Sequence, residues 1–186
     1  MSSAVLQRLH DPYPSRLNHA VTPVERREPT VWCEETSDGP LGAADLDRFA
    51  ADGHLSRPGT VGEDTLPSLR TEIDRLAAEL ATDDPRVIRE PRGTIRSIFQ
   101  PHLLSGVVAD VVRMDTVLPV AQQLLGGDVY IHQARINLMP GFTGSGFYWH
   151  SDFETWHAED GMPRMRAVSC SIALTPNYPY NGSLMV

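Results

Sequence analysis

The spacing of apolar residues changes near Gly127, and this change constrains the fold of the 186-residue chain more than any other feature. Before Gly127, apolar residues recur at steps of three and four, as in amphipathic helices. After it, apolar and polar residues alternate, as in strands with one buried face. Helices followed by antiparallel strands predict an α+β or jelly-roll-type architecture.

The same pattern places individual elements. Helices are predicted over Leu41–Gly53, Thr65–Ala81 and His102–Arg113, with a fourth that Asp115 or Thr116 caps and Gly126-Gly127 ends. Strands are predicted over Val87–Glu90, Arg96–Phe99, Val129–Leu138, Phe147–Asp152 and Arg166–Leu174. Residues 1–40 contain five prolines and little periodicity. They predict an irregular arm that wraps the domain or a partner, or else is disordered, and residues 41–186 then belong to a single domain.

Composition excludes several classes of partner. The formal net charge is -8, whereas nucleic acids and anionic membranes favour basic surfaces, so we expect neither as a partner. The two cysteines, Cys33 and Cys170, lie far apart and form no disulfide framework, which favours a reducing cytoplasm. No stretch approaches the roughly 18 apolar residues of a membrane-spanning helix.

The tripeptide His150-Ser-Asp152 carries the clearest chemical signal. On an extended strand its first and third side chains point to the same side. An imidazole and a carboxylate side by side can occupy two adjacent positions on one metal, two thirds of the 2-His-1-carboxylate set of non-haem Fe(II) oxygenases. No histidine follows His157 to complete that set. An ion pair on a surface strand is the alternative interpretation.

Polar residues on the other predicted strands suggest a cavity. If their faces line one barrel, they form a wet binding site with the metal at its mouth; these residues are Gln133, Arg135, Asn137, Ser169 and Ser171. Each also has an ordinary interpretation, as a polar residue of an edge strand or a structural ion pair. Trp149 and Trp156 are equally typical of a core, and His157, Glu159 and Asp160 of a solvated loop.

The longer segment Phe147–Pro163 resembles, nearly residue for residue, the segment that marks ectoine hydroxylases, Fe(II)- and 2-oxoglutarate-dependent enzymes of the phytanoyl-CoA dioxygenase-like superfamily. The flanking runs Tyr130–Asn137, Pro140–Phe142 and Pro163–Ala167 agree. Asn181–Val186 resembles the run that leads into the family's Pro-Gly-Ser-His segment. The resemblance is tight over Val129–Val186 and looser back to Leu41.

The resemblance implies a double-stranded β-helix core, and hydroxylation of ectoine to 5-hydroxyectoine while 2-oxoglutarate and O2 are consumed. By motif position, the implied iron ligands are His150 and Asp152. The residues implied to contact ectoine are Gln133, Thr155, Trp156 and Ser171. Those implied on the 2-oxoglutarate side are Asn137, Met139 and Phe99. A homodimer is also implied.

Two departures from the family pattern bear on activity. Position 139 is Met where many members carry a Lys that helps hold 2-oxoglutarate. The family's distal His and its 2-oxoglutarate Arg have no counterpart, since no Arg or Lys follows Arg166. We therefore expect an N-terminal portion of the enzyme, incomplete at the C-terminus and inactive alone. The alternatives are a related hydroxylase of another small polar substrate, or a non-catalytic ligand-binding module.

Overall fold

The structure, a computed structural model, describes residues 11–17, 25–34, 39–142 and 144–186. It divides into two compact units. The arm–motif unit comprises Met1–Glu28 and Trp149–Met165, and the core unit comprises Pro29–Tyr148 and Arg166–Val186. Of the predicted arm, residues 1–10, 18–24 and 35–38 lie outside the described residues. A domain boundary at residue 40 stays a prediction.

Two of the predicted helices of the core unit are confirmed with nearly the expected bounds. They are α1 (Ala43–Asp52) and α2 (Thr65–Glu79). The first ends at Gly53, whose φ of 74° is in the left-handed region that glycine adopts without a Cβ penalty. The second buries Leu69, Ile73 and Leu76, the face that the three-and-four spacing predicts.

The single helix predicted over His102–Arg113 is wrong, because the chain forms two helices there. They are α3 (Pro101–Leu104) and α4 (Gly106–Val112), separated by Ser105 in extended conformation. The Ser105 hydroxyl accepts a hydrogen bond from the Val108 amide at 3.2 Å and so caps α4. The apolar periodicity continues across Ser105, so the sequence pattern does not reveal the break between the two helices.

The next helix, α5 (Leu118–Leu125), begins after Val117 rather than at a cap from Asp115 or Thr116, and it ends at Gly126 as predicted. Gly126 has φ 65°, and a Cβ there would lie 2.4 Å from the Trp32 carbonyl oxygen. Both the backbone conformation and the close approach of residue 32 therefore require glycine at this position.

Three short strands form one antiparallel sheet in the order β1 (Val87–Arg89), β2 (Ile95–Phe99) and β3 (Arg135–Asn137). In its register Ser97 faces Asn137, Ile98 faces Ile136, and Phe99 faces Arg135. The two short strands predicted over Val87–Glu90 and Arg96–Phe99 are confirmed as β1 and β2. Helices together with an antiparallel sheet confirm the α+β class.

Three of the longer strand predictions are wrong. Only Arg135–Asn137 of the span 129–138 is a strand, and the described structure assigns none to 147–152 or 166–174. Instead the sixth helix, α6 (Asp152–Ala158), begins at the last residue of the span 147–152. Alternating polarity indicates a face that can be buried, whereas a strand also needs a hydrogen-bonded neighbour.

The apolar core lies between α2, α4 and the sheet. One buried cluster comprises Ile73, Leu76, Ile98 and Ile136, and a second comprises Leu69, Val108 and Val111. Leu174 packs against both clusters, so the segment after Arg166 contributes to the core without forming a strand. Among the described residues, no helix is long and apolar enough to cross a membrane.

Candidate metal and co-substrate site

His150 and Asp152 lie side by side, although not on a strand. Asp152 is the first residue of α6, and Ser151 before it is extended, with φ -103° and ψ 125°. This bend brings His150 Nε2 to 3.3 Å from Asp152 Oδ1. The two side chains are 45% and 35% exposed. The strand predicted for this pair is wrong, while its side-by-side arrangement is present.

The spacing of the pair suits two neighbouring ligands of one metal ion. Two cis ligands, each about 2.1 Å from an octahedral ion, lie about 3 Å apart. A displacement of a few tenths of an ångström therefore brings both atoms to ligand distance. Among the described residues, no group of three His, Cys, Asp or Glu residues is placed to hold a metal. The pair supplies two donor positions, one imidazole and one carboxylate.

The next turn of α6 carries two of the residues that the resemblance assigns to substrate. Thr155 is exposed and Trp156 is half-buried. Consecutive helical residues project about 100° apart, so these side chains face different directions. The Trp156 carbonyl accepts hydrogen bonds from the amides of Asp160 and Met162, at 3.1 and 3.0 Å, and thereby closes the helix.

His157 does not lie in a solvated loop, as the sequence suggested, but on α6. Its Nδ1 is 2.7 Å from the Met162 carbonyl oxygen, and its Nε2 is 2.9 Å from Asp11 Oδ1. Both oxygens favour the protonated ring and raise the pKa of His157, the Met162 carbonyl more than the carboxylate. Phe153 stacks on the imidazole at 5.4 Å. The i, i+4 spacing of Phe153 and His157 was the available signal for this helix.

Two of the three residues assigned to 2-oxoglutarate share a face of the sheet. Phe99 on β2 lies opposite Arg135, and Ser97 lies opposite Asn137 on β3. Ser97 and Phe99 are two residues apart on β2, so their side chains project to the same side of the sheet. Asn137 projects to that side too, because it is the cross-strand partner of Ser97. Phe99 and Asn137 therefore belong to one surface. The Ser97 hydroxyl donates to Asn137 Oδ1 at 2.9 Å and fixes the orientation of that amide.

The third, Met139, is 37% exposed and lies against Gly182. A Cβ on Gly182 would be 2.9 Å from Met139 Cε, and Gly182 has φ 78°. Gln133 and Ser171 are exposed residues of the same core unit. His150, Asp152, Thr155 and Trp156 belong to the arm–motif unit.

Glu90, which the sequence did not single out, anchors the segment that leads into the motif. It is only 4% exposed, and its two carboxylate oxygens accept hydrogen bonds from the Ser145 amide and hydroxyl at 2.9 and 2.7 Å. The Arg96 guanidinium is 3.6 Å away. These donors, those of Ser145 first, lower the pKa of Glu90. A buried, charged acceptor thus fixes the backbone at residue 145.

Arg96 extends the same anchor to the start of the motif. Its Nη2 donates to the Gly146 carbonyl at 3.2 Å, and its guanidinium lies 4.3 Å from the centre of the Phe147 ring. The Arg135 guanidinium lies 5.7 Å from the same ring. Two cations therefore hold the first residue of the segment 147–163 by cation–π contacts. Nothing in the hydrophobic pattern indicates these contacts, because they join residues far apart in sequence.

Comparison with known proteins defines the class. A model of the family "Phytanoyl-CoA dioxygenase (PhyH)" matches residues 49–186. The chain is 54% identical over 178 residues to the ectoine dioxygenase of Nocardia farcinica, with 95% of this chain and 58% of the relative covered. It is 50% identical over 178 residues to the ectoine dioxygenase of Streptomyces avermitilis, again with 95% of this chain and with 60% of the relative covered.

Solved structures agree with the sequence relatives. The structure of EctD from S. alaskensis with 2-oxoglutarate and 5-hydroxyectoine matches with a TM-score of 0.77 at 42% identity, over 84% of this chain and 56% of that one. The structure of the same protein with bound Fe matches with a TM-score of 0.77 at 43% identity, over 84% and 57%.

The chain belongs to the phytanoyl-CoA dioxygenase family. Within it, the chain is similar to ectoine dioxygenases and spans 58–60% of the length of the first two of those relatives.

Proposed function

We propose that the residues of this chain serve the 5-hydroxylation of ectoine, coupled to oxidative decarboxylation of 2-oxoglutarate to succinate. The observation that carries the proposal is the His150–Asp152 pair, 3.3 Å apart, in a chain 54% identical to an ectoine dioxygenase over 178 residues. Hydroxyectoine is a compatible solute, so the proposed role is protection against osmotic stress.

In the proposed site, His150 and Asp152 would hold Fe(II). When bound, Fe(II) with 2-oxoglutarate and O2 supplies the oxidative chemistry. The protein residues bind and orient ectoine and 2-oxoglutarate, and they exclude water from the site. An imidazole and a carboxylate leave the remaining positions of the ion for a further ligand and the co-substrates, which fits this donor set.

The proposed substrate contacts match the chemistry of ectoine, a small zwitterion with a flat amidinium cation and a carboxylate. The indole of Trp156 packs on the cation, and the Gln133 amide and the Thr155 and Ser171 hydroxyls bind its polar edges. Phe99 and Asn137, which share a face of the sheet, and Met139 beside Gly182 line the 2-oxoglutarate side. Met139 contributes packing there, since a thioether cannot pair with a carboxylate.

A chimera tests the function directly. The matching 178-residue region of the Nocardia farcinica enzyme is replaced by the residues of this chain, and 5-hydroxyectoine and succinate are measured with ectoine, 2-oxoglutarate and Fe(II). We expect ectoine-dependent formation of both products, lost in Asp152→Ala. The matched control is Asp47→Ala, an exposed aspartate of α1, which keeps activity.

The outcomes separate the alternatives. Succinate release with other small polar substrates but not with ectoine would contradict the substrate and favour a related hydroxylase. Ectoine binding without any turnover would favour a ligand-binding module. The same assay on the 186-residue chain alone tests the expectation of inactivity, which turnover abolished by Asp152→Ala would contradict.

Location and assembly are proposals as well. Two cysteines without a disulfide framework support a cytoplasmic location. The homodimer rests on the family resemblance alone, and light scattering after gel filtration tests it.

A further inference from the structure

The ring of Tyr13 packs against α6 within the arm–motif unit. Its centre lies 5.0 Å from that of Phe153, with the rings at 82°, and 5.4 Å from that of His157, at 77°. Since Phe153 also stacks on His157, the three rings form one cluster. Edge-to-face contacts of this kind hold rings in a defined orientation. Phe153 directly follows Asp152, the proposed iron ligand.

Charged residues of the same stretch reinforce the contact. Asp11 Oδ1 lies 2.9 Å from His157 Nε2. Arg16 pairs with Glu154 at 3.4 Å and with Glu159 at 2.7 Å, so it joins the first turn of α6 to the residue after its last. Three residues spaced over 11–16 thus contact the whole length of the helix.

Glu28 fixes Tyr13 from the other side. The Tyr13 hydroxyl donates to Glu28 Oε2, which also accepts from the Met165 amide at 3.3 Å, and Arg164 lies 3.7 Å from Glu28 Oε1. Partial burial and this carboxylate raise the pKa of Tyr13, so the phenol stays a donor. The phenol and its ring therefore link both ends of the segment 149–165 to the arm.

We propose that residues 11–16 position the metal-binding pair, with Tyr13 as the central positioning residue that fixes the first turn of α6 and hence Asp152 beside His150. The inference rests on the proposed function of that pair. A helix of seven residues is marginal by itself, since isolated helices need about 12–15 residues in water. None of the described residues of this unit is fully buried, so the arm contacts carry much of what orders the helix.

The experiment uses the full 186-residue chain and two variants of one side chain. Tyr13→Phe keeps the ring contacts and loses only the hydroxyl, whereas Tyr13→Ala loses both. Tyr180→Ala removes an exposed tyrosine of the core unit as the matched control. Co(II) affinity is measured by titration, and hydrogen exchange is measured at the amides of Glu154, in the first turn of α6, and Glu159, which bond to the Ser151 and Thr155 carbonyls.

We expect Tyr13→Ala to weaken Co(II) binding about tenfold, the usual effect of losing a residue that orients a ligand, and to speed exchange at both amides. Tyr13→Phe, which keeps the ring contacts and loses the hydrogen bond to Glu28, should weaken binding less than Tyr13→Ala does, and Tyr180→Ala should stay within about twofold of wild type. Faster exchange with unchanged Co(II) affinity would overturn the inference, as would equal weakening in Tyr13→Ala and Tyr180→Ala. No Co(II) binding by wild type would contradict the proposed metal pair instead, and unchanged exchange in Tyr13→Ala would then overturn the positioning role independently.

Discussion

The core unit and the arm–motif unit are held together by different interactions. The ten hydrophobic residues that are buried in the described part of the chain all belong to the core unit, and Ile98 at its centre has no exposed surface. The described residues of the arm–motif unit include none that is buried, and ring contacts, ion pairs and hydrogen bonds join them. The proposed metal ligands thus lie where packing is thinnest, as is usual for parts of a protein that must admit a ligand.

The largest effect is expected in the core. Ile98→Ala should lower the free energy of unfolding by about 2–5 kcal/mol, because a fully buried side chain leaves a cavity. Ile88→Ala in the neighbouring strand is the control, since Ile88 is 45% exposed, and it should lose less than about 1 kcal/mol. Urea unfolding followed by circular dichroism measures both. Equal losses would show that the sheet does not have the buried face described.

The next largest effect is expected when Glu90 is replaced, and it is measured by hydrogen exchange at the Ser145 amide. In Glu90→Gln one of the two Ser145 donors loses its acceptor, and hydrogen exchange at the Ser145 amide should quicken about tenfold. Because the pKa of Glu90 is lowered, its stabilisation is present above the ordinary carboxyl pKa and is lost as pH falls through the lowered pKa. The variant should lack this loss at acid pH.

The control for this anchor is Glu79→Gln, an exposed glutamate of α2 with 61% of its side chain accessible, which should leave the Ser145 amide unchanged. Similar exchange in both variants would mean that Glu90 does not hold the segment before the motif.

In the arm–motif unit a smaller effect is expected from His157. Its stabilisation depends on pH in the opposite sense to that of Glu90. The raised pKa of His157 means that its stabilisation is fully present below the ordinary histidine pKa and is lost as pH rises through the raised pKa. Asp11→Asn should move the pKa of His157 down, though not fully to its ordinary value, since the Met162 carbonyl still accepts. Titration of the imidazole by NMR measures this, with Asp47→Asn as the control. An unmoved pKa would exclude the Asp11 contact.

The smallest effect should come from Arg16. Its side chain is 48% exposed, and its partners Glu154 and Glu159 are 42% and 55% exposed. Exposed pairs contribute little and are screened by salt. Arg16→Gln should therefore shift the thermal midpoint slightly at low salt, and the shift should vanish at about 0.5 M NaCl. Arg48→Gln, which removes the looser pair with Asp45 at 3.9 Å, is the control. A shift that persists at high salt would argue for a buried contact.

The two regions also differ in how far the sequence predicts them. The helices of the core unit follow a stripe of apolar residues, so the bounds of α1 and α2 are predicted nearly correctly. The two strands β1 and β2 are also predicted with nearly correct bounds. The break at Ser105 is missed because apolar spacing continues across it. The strands expected after Gly127 are mostly wrong, because alternation describes one face of a segment and not its hydrogen-bonded neighbours.

The candidate site likewise contains residues that the sequence predicts and residues that it does not predict. His150 and Asp152 can be found as a pair from the motif, but the helix that begins at Asp152 cannot be found from the aromatic run before it, which favours a strand. Glu90, Tyr13 and Asp11 act through partners 55, 15 and 146 positions away in sequence. No local pattern connects residues at such separations, so only the folded chain shows that they hold the motif.

The most direct test of the account is a calorimetric titration of the 186-residue chain with Fe(II) under anaerobic conditions. We predict one weak site per chain, with the affinity at least about tenfold lower in His150→Ala and in Asp152→Ala, since each removes one ligand. His54→Ala and Asp47→Ala, exposed residues of the core unit, should bind as wild type does. Equal affinity in all five proteins, or no binding by wild type, would contradict the assignment of His150 and Asp152 as the metal pair.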